Sequence, residues 1–171
     1  MIDIHRKKNK SMLYTHLTKL AMITAYEAYK SQKDKSGVPY IFHPIHVAYK
    51  MVTEDEICVA LLHDVVEDTD VTLDDLRAKG FPEHIIDSIK LLTKKKSNSE
   101  DKDVLYIEYI GYINALKTSG NDVAIKVKLA DLRHNCDQSR IYEQSLTKED
   151  IEWFYERFKM YEEAISKLED K

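Results

Sequence analysis

Apolar residues recur at intervals of three and four along most of the chain, which is the spacing of one face of an α-helix. The first such series runs from Leu13 to Ala28 and predicts a helix over about residues 11–32. Gly37 and Pro39 then interrupt the series and favour a turn followed by an extended segment. Helices therefore dominate the prediction from the start of the chain.

Start and stop signals predict further helices. Proline suits the first helical turn, so Pro44 places His43 at or next to the N-cap of a helix that runs to about residue 52. The remaining helices are predicted over about 55–67, between Thr72 and Gly80, from Pro82 to Leu92, and over about 103–118, 122–137 and 148–169, with a polar loop over 94–101. Thr72-Leu73-Asp74-Asp75, with Asp in place of Glu, and Thr147-Lys148-Glu149-Asp150 resemble capping boxes that open two of these helices. The sequence thus predicts an all-α fold, a compact helical bundle whose helices carry site residues inward.

Composition narrows the class of protein. With 171 residues, 43% of them hydrophobic and 33% charged, the chain suits one domain over residues 1–171. Only four glycines and three prolines argue against a loop-rich β-protein. Cys58 and Cys136 lack the paired spacing of a zinc or redox motif. No segment approaches membrane-spanning length and the N-terminus has no apolar signal region, so we expect a cytoplasmic protein.

Charge excludes some partners. The net charge of −4 gives no general attraction to nucleic acid or to an anionic membrane. The basic run Lys94-Lys95-Lys96 is too short to predict a nucleic-acid patch. We therefore expect neither a nucleic-acid nor a membrane partner, and the oligomeric state stays open.

Candidate chemistry is concentrated in one stretch, Leu61-Leu62-His63-Asp64-Val65-Val66-Glu67-Asp68-Thr69. On a helical wheel its apolar residues form one arc, and its imidazole and three carboxylates form the other. These polar groups repel and desolvate one another unless a cation or a substrate compensates them. A metal ion is the simplest compensator, so this stretch predicts part of an active site.

A second acidic position lies in the predicted helix over 122–137. Asp131 and Asn135 are four residues apart and share a face. The opposite face carries Ile125, Leu129, Leu132 and Cys136, which would normally be the core side. An acid facing away from the core is usually exposed, and Asp131 gains significance only if its face meets that of His63 and Asp64.

His43, His63-Asp64 and Asp131 match the ordered H…HD…D pattern of the HD-domain metal-dependent phosphohydrolases. The stretch from Gln32 to Pro44 also resembles the segment before the first histidine in one branch, the RelA/SpoT-like alarmone hydrolases with their small single-domain members. His63-Asp64-Val65-Val66-Glu67-Asp68-Thr69 and Lys128-Leu129-Ala130-Asp131 with Asn135 resemble that branch too. The resemblance runs from about residue 21 to 140.

The resemblance implies that His43, His63, Asp64 and Asp131 are metal ligands. Two imidazole nitrogens and two carboxylate oxygens suit Mn²⁺, Fe²⁺ or Zn²⁺, and are too rich in nitrogen for Ca²⁺. Mn²⁺ is the first expectation. Such a metal lowers the pKa of a bound water and polarises a phosphoryl group.

The resemblance further implies the reaction and its residues. Glu67 and Asp68 are expected to position or deprotonate the attacking water, although a solvated acidic helix end is the ordinary alternative. The implied reaction of the stringent response removes the 3′-pyrophosphate from guanosine tetra- or pentaphosphate, (p)ppGpp, and leaves GDP or GTP. No synthetase domain follows, so we expect hydrolysis without synthesis. The expected contacts to this small-molecule nucleotide are Lys35, Ser36, Tyr40, Lys94, Asn135 and Arg140.

One position departs from the family pattern. Asp34-Lys35 stands where the alarmone hydrolases typically carry an Arg-Lys pair, whose arginine is expected to stack on guanine. A carboxylate cannot supply this stacking. Either another residue stacks, for example a tyrosine, or the base differs. Two alternatives follow: an HD-domain nucleotidase or pyrophosphohydrolase for another nucleotide, and a module that binds a nucleotide without turnover.

Neighbouring histidines are less distinctive. His46 lies one turn after His43 and is either an additional ligand or, more ordinarily, a surface or supporting residue. His84 and His134 are expected to be structural or exposed.

Overall fold

Helices make up the regular structure of the computed structural model, which describes residues 14–140 and 147–170. They are α1 (His16–Ala28), α2 (Phe42–Tyr49), α3 (Glu54–Leu62), α4 (Val65–Asp68), α5 (Leu73–Ala78), α6 (Glu83–Leu92), α7 (Lys102–Thr118), α8 (Asp122–Asn135) and α9 (Lys148–Glu169). A 3₁₀ turn (Gln138–Arg140) follows α8. Across these two ranges no β-strand forms, and one isolated bridge pairs Lys33 with Pro39. The predicted all-α fold is confirmed, while the single domain over 1–171 stays a prediction.

Helix α3 lies at the centre of the core and packs against α1, α2, α6 and α8. Its residues from Ile57 to Leu62 are at most 1% exposed, as expected for a helix that is apolar on every side. A capping box between Thr53 and Glu56 fixes where it begins. The buried helix therefore delivers the residues that follow Leu62 into the interior.

The structure corrects the continuous helix predicted over 55–67. Helix α3 ends at Leu62, and α4 begins at Val65 after a turn formed by His63 and Asp64. Adjacent residues of an α-helix point about 100° apart and do not face one target. The turn lets the two side chains approach each other, with 3.0 Å between His63 Nε2 and Asp64 Oδ2.

The first helix is shorter than predicted, and residues 11–13 of that prediction lie outside the described residues. Helix α1 begins after Thr15 and ends at Ala28, although the prediction extended it to residue 32. The chain leaves the helix because the backbone of Gln32 accepts a hydrogen bond from Tyr40 N (2.9 Å) and closes a loop. Gly37 supplies the positive φ of 80° that this loop requires.

Helix α8 has neighbours on several sides, namely α2, α3, α6, α7 and α9. Exposure to solvent, the usual expectation for an acid opposite the Ile125 face, does not apply here, because Asp131 is only 3% exposed while Ile125 and Leu129 are half-buried. The face of Asp131 meets the turn after α3. Helix α8 stops at Asn135, two residues before the predicted end.

Helix α9 starts at the predicted capping box of Thr147 and Asp150 and packs against α7 and α8. Its first half carries Trp153 and Arg157 to the side of the protein where the loop after α1 lies. None of the helices in the described ranges combines the length and the apolar character needed to cross a membrane.

Candidate metal centre and active site

Three buried side chains from different parts of the fold converge on one point. His43 comes from α2, His63 follows α3, and Asp131 comes from α8. His43 Nε2 lies 3.3 Å from His63 Nε2 and 3.1 Å from Asp131 Oδ1, and His63 Nε2 lies 3.7 Å from Asp131 Oδ1. The three residues offer one ligand atom each within a sphere suited to a single ion.

Asp64, the fourth predicted ligand, lies beside this cluster. Its Oδ2 atom is 3.0 Å from His63 Nε2 and 3.7 Å from His43 Nε2. The same oxygen accepts a hydrogen bond from the Tyr40 hydroxyl at 2.6 Å. The structure thus brings all four predicted ligands together, and Tyr40 fixes the orientation of one carboxylate.

Hydrogen bonds on the far side of each imidazole aim its Nε2 atom at the cluster. His63 Nδ1 lies 2.8 Å from the Ala60 carbonyl oxygen, which only accepts, so Nδ1 carries a proton. His43 Nδ1 lies 2.7 Å from His134 Nδ1. Burial and the charge of Arg140 lower the pKa of His134 to about 3, so its ring is neutral and can accept from His43. In the tautomer that is protonated at Nδ1, the Nε2 atom of each ring is the position that can bind a metal.

His134 has a role that the sequence analysis missed. Its ring stacks on His43 and on His46, with centroid distances of 4.9 and 3.9 Å. His46 therefore packs against the ring of His134, which is the more ordinary of the two roles expected for it. The only signal for His134 was its position one turn after Asp131, and a contact with His43 depends on how α2 and α8 pack.

Strong electrostatic coupling holds the cluster together. Burial would lower the pKa of His63, but Asp64 and Asp131 raise it to about 10. Burial would raise the pKa of Asp64, but His63 lowers it to about 2. Asp131 is held well below its usual pKa, against burial, by Lys128, whose Nζ lies 2.8 Å from Oδ2, and by the two histidines. A proton on His63 and the Lys128 cation therefore balance the buried Asp131 carboxylate and the half-buried Asp64 carboxylate.

The donor set fits a divalent cation. Because the Nδ1 atom of each histidine is hydrogen-bonded away from the cluster, His43 Nε2 and Asp131 Oδ1, 3.1 Å apart, can both direct a lone pair at one cation. Asp131 Oδ2 accepts a hydrogen bond from the Lys128 ammonium. Asp131 Oδ1 also accepts one from the Asn135 amide at 2.7 Å. Two nitrogens with two carboxylates make the mixed site expected for Mn²⁺, Fe²⁺ or Zn²⁺.

Glu67 and Asp68 lie one turn beyond the histidine and aspartate, on α4. Glu67 Oε2 accepts a hydrogen bond from the backbone N–H of Lys94 at 2.8 Å, which fixes its carboxylate. Asp68 stays exposed on one side, yet partial burial together with the charges of Asp64 and Glu67 raises its pKa to about 6. Asp68 therefore exchanges protons near neutral pH, which suits a general base or acid.

A buried tyrosine adds an unused donor to this region. Tyr29 is 1% exposed and packs against Tyr40, with 4.9 Å between ring centroids. Burial and the charges of Asp64, Asp68 and Glu67 raise the pKa of its hydroxyl. Within residues 14–140 and 147–170 that hydroxyl has no hydrogen-bond partner. Such a buried donor beside carboxylates is suited to holding a water molecule or a substrate oxygen.

Five of the six predicted substrate residues line one cavity of about 270 Å³. They are Lys35, Ser36, Tyr40, Asn135 and Arg140. Lys94 lies elsewhere, in a larger neighbouring groove of about 1410 Å³, and its backbone holds Glu67. Trp153 and Arg157 line both spaces, so the cavity and the groove adjoin.

A chain of hydrogen bonds links this cavity to the cluster. Arg140 donates to Asn135 Oδ1 at 2.7 Å, and Asn135 donates to Asp131 Oδ1 at 2.7 Å. Ser36 Oγ donates to the Arg140 carbonyl at 2.9 Å. Arg140, the substrate residue with the weakest sequence match, is thus connected to a predicted ligand.

Asp34 stabilises the loop that follows α1. Its Oδ1 atom accepts hydrogen bonds from Ser36 N and Val38 N, both at 2.9 Å. Its Oδ2 atom lies 3.8 Å from an Arg140 guanidinium nitrogen. The carboxylate therefore shapes the loop after α1 and draws Arg140 towards it.

Helix α9 supplies cavity residues that the sequence analysis did not assign. They are Trp153, Phe154, Arg157, Phe158 and Tyr161. More than 100 positions separate them from the loop after α1, and their three- and four-residue spacing is that of an ordinary core stripe. The sequence carried no signal that distinguishes them from core residues.

Sequence comparisons relate the chain to known hydrolases. No protein-family model matches it. The guanosine-3′,5′-bis(diphosphate) 3′-pyrophosphohydrolase of Aquifex aeolicus is 31% identical over 131 residues, which cover 72% of this chain and 18% of the relative. The bifunctional (p)ppGpp synthase/hydrolase SpoT of Escherichia coli is 31% identical over 127 residues, which cover 67% of this chain and 17% of the relative. The chain thus spans less than a fifth of the length of these relatives.

The fold is shared with a solved structure. A metazoan ortholog of SpoT, described as hydrolysing ppGpp, matches with a TM-score of 0.69 at 23% identity, over 91% of this chain and 88% of its own. The sequence relatives and the shared all-helical fold confirm the resemblance of this chain to the RelA/SpoT-type (p)ppGpp hydrolases of the HD-domain superfamily.

Proposed function

We propose that this protein is a metal-dependent hydrolase that removes the 3′-pyrophosphate of (p)ppGpp, with His43, His63, Asp64 and Asp131 holding Mn²⁺. The observation that carries the proposal is the convergence of these four side chains, with the Nδ1 atom of each histidine hydrogen-bonded away from the cluster. The relatives are named for the hydrolysis of (p)ppGpp, which supports this choice of substrate. A substrate of this kind agrees with the cytoplasmic location that we expect.

When bound, a divalent cation supplies Lewis acidity that polarises a phosphoryl oxygen and lowers the pKa of a water. Asp68, with a pKa of about 6, accepts the proton of the attacking water above that pH. Glu67, fixed by Lys94 N, orients the same water. The hydroxyl of Tyr29, which has no partner among the described residues, donates a hydrogen bond to a water or phosphate oxygen near these carboxylates.

The nucleotide occupies the cavity of about 270 Å³, whose lining residues Tyr40 and Asn135 hydrogen-bond to Asp64 and Asp131. Lys35 and Arg140 supply positive charge for its phosphates, and Ser36, Tyr40 and Asn135 supply polar contacts. Lys94 contributes charge from the adjoining groove. Asn135 and Tyr40 hydrogen-bond to predicted ligands, so a substrate that touches them reaches the cluster.

A substrate panel tests the reaction. With Mn²⁺, the full chain should release pyrophosphate from guanosine 3′,5′-bis(diphosphate) and leave GDP, as measured by chromatography of the products. Asp34 motivates the second candidate, an HD-domain nucleotidase or pyrophosphohydrolase for another nucleotide. Clear hydrolysis of another nucleotide together with none of the alarmone would replace the first proposal with this one.

One variant separates catalysis from binding alone, and two others test the metal ligands. Glu67→Gln should retain metal and nucleotide while kcat collapses, because the amide oxygen can still accept from Lys94 N but cannot act on water as a carboxylate does. A module that binds without turnover predicts no hydrolysis by either protein. Asp131→Ala and His63→Ala should bind less Mn²⁺ by elemental analysis, and wild-type metal content in both would disprove the ligand assignment.

A further inference from the structure

We propose that the indole ring of Trp153 is the platform on which the substrate's nucleobase stacks, in place of the arginine that Asp34 replaces. This inference rests on the proposed function, because it assigns one part of the same nucleotide site. It goes beyond that proposal by naming the residue that recognises the aromatic base. Trp153 lies on α9 and lines both the cavity and the adjoining groove.

Asp34 is not available for the base. Both of its carboxylate oxygens already have partners: Oδ1 accepts from Ser36 N and Val38 N of its own loop at 2.9 Å, and Oδ2 lies 3.8 Å from the guanidinium of Arg140 in the turn after α8. A carboxylate in this position also carries the same charge as a phosphate. Recognition of an aromatic ring must therefore come from another wall of the cavity.

Trp153 forms that wall and is surrounded by cations. Lys35 Nζ lies 3.4 Å from the centroid of the indole ring, and the guanidinium carbon of Arg157 lies 4.8 Å from it. Two cations beside one ring repel each other, and an anionic ligand relieves that repulsion. A nucleotide combines such an anion with an aromatic ring, which an aromatic platform binds.

Lys35 occupies the face of the ring that a base would use. Its side chain is exposed and belongs to a loop, so it can leave the ring and pair with a phosphate. A planar base then replaces a point cation on the indole, and Arg157 remains beside it. The loss of one exposed cation–π contact is a smaller cost than the gain from stacking a base on the ring.

The direction of the cavity agrees with this placement. Trp153 shares the cavity with Tyr40 and Asn135, which hydrogen-bond to Asp64 and Asp131 respectively. The volume of about 270 Å³ is just below the range for small-molecule pockets, about 300–1,000 Å³, and the adjoining groove extends it. A base at the Trp153 end accordingly directs the ribose and its phosphates towards the metal cluster.

Intrinsic fluorescence gives a direct test, because Trp153 is the single tryptophan of the chain. GDP, added to the full-length metal-free protein, should quench the emission saturably, whereas inorganic pyrophosphate, which has no base, should not. Calorimetry should show that Trp153→Leu weakens GDP binding about 5- to 150-fold, the loss of one stacked base, with pyrophosphate affinity unchanged. Trp153→Phe should retain most of the GDP affinity.

The matched control is Tyr155→Leu, which removes an aromatic ring from the same helix at a position that is 57% exposed and outside the cavity. It should bind GDP as the wild type does. If Trp153→Leu does not fold, the wild-type titrations and Trp153→Phe decide the matter.

The results separate this inference from the proposed function. Absence of quenching by GDP, or a Trp153→Leu protein with wild-type GDP affinity, overturns the stacking role even if the alarmone is hydrolysed. Saturable quenching by GDP, lost affinity in Trp153→Leu and no quenching by pyrophosphate support it even if the alarmone is not hydrolysed.

Discussion

Metal binding should displace a proton from His63 at neutral pH. An ordinary histidine has a pKa of about 6.5. In the metal-free protein, burial acts to lower the pKa of His63, but Asp64 and Asp131 raise it to about 10. A histidine must be deprotonated at the nitrogen that binds metal. Below pH 10 the apparent affinity should therefore rise about tenfold per pH unit, or about 1.4 kcal/mol.

The same shift sets the pH dependence of stability without metal. A pKa that is raised in the folded state stabilises the fold fully below the unfolded value, about 6.5, and this contribution is lost as the pH rises towards 10. The metal-free protein should thus become less stable across that window, and bound metal should reverse the loss. Thermal melts with EDTA and with Mn²⁺ at several pH values measure both effects.

Calorimetry of Mn²⁺ binding tests the proton release directly. Titrations between about pH 7 and 8.5, in two buffers with different ionisation enthalpies, should give about one proton released per metal and a continuous rise in affinity. His84→Asn is the matched control, because this exposed histidine pairs with Asp55 outside the cluster. An affinity that is level above about pH 7.5, as for an ordinary histidine, would refute the reasoning.

Three further predictions concern neighbours of the cluster. Lys128→Met should destabilise the metal-free protein by about 3–5 kcal/mol in urea unfolding, because it leaves the buried Asp131 carboxylate without its partner; a loss below 1 kcal/mol would contradict the buried pair. Asp68→Asn should lower kcat about 10²- to 10⁴-fold and abolish the acidic limb of the wild-type rate profile, which should have its midpoint near the pKa of about 6; an unchanged limb would assign it to another group. Tyr29→Phe should leave unfolding free energy within about 1 kcal/mol, since the hydroxyl has no partner in the described residues, while lowering kcat; unchanged kcat would exclude a role for this hydroxyl.

Local chemistry made most of the fold predictable. The capping boxes at Thr72 and Thr147 and the glycine at position 37 act through neighbours within a few residues, and the structure contains each of them where predicted. The residues of the ordered H…HD…D pattern also come together on folding, because α2, the turn after α3 and α8 each present one or two of them. Helix existence and the cluster of His43, His63, Asp64 and Asp131 therefore followed from the sequence.

Tertiary packing decided what the sequence could not predict. The turn at His63 and Asp64 interrupts a pattern whose periodicity fits a continuous helix. The contact of His134 with His43 requires α2 and α8 to pack side by side. Trp153 reaches the cavity only because α9 folds back across the loop after α1, and its spacing within α9 resembles that of any core aromatic residue.

Anomalous scattering from crystals grown with Mn²⁺ tests the central claim most directly, namely that one divalent cation binds between α2, the turn after α3 and α8. The account predicts a single strong anomalous peak within bonding distance of His43 Nε2, His63 Nε2, Asp64 and Asp131. Crystals of Asp131→Ala grown in the same way should show a weaker peak at this position, or none. A manganese peak bound elsewhere, or none at these four residues in the wild type, would contradict the account.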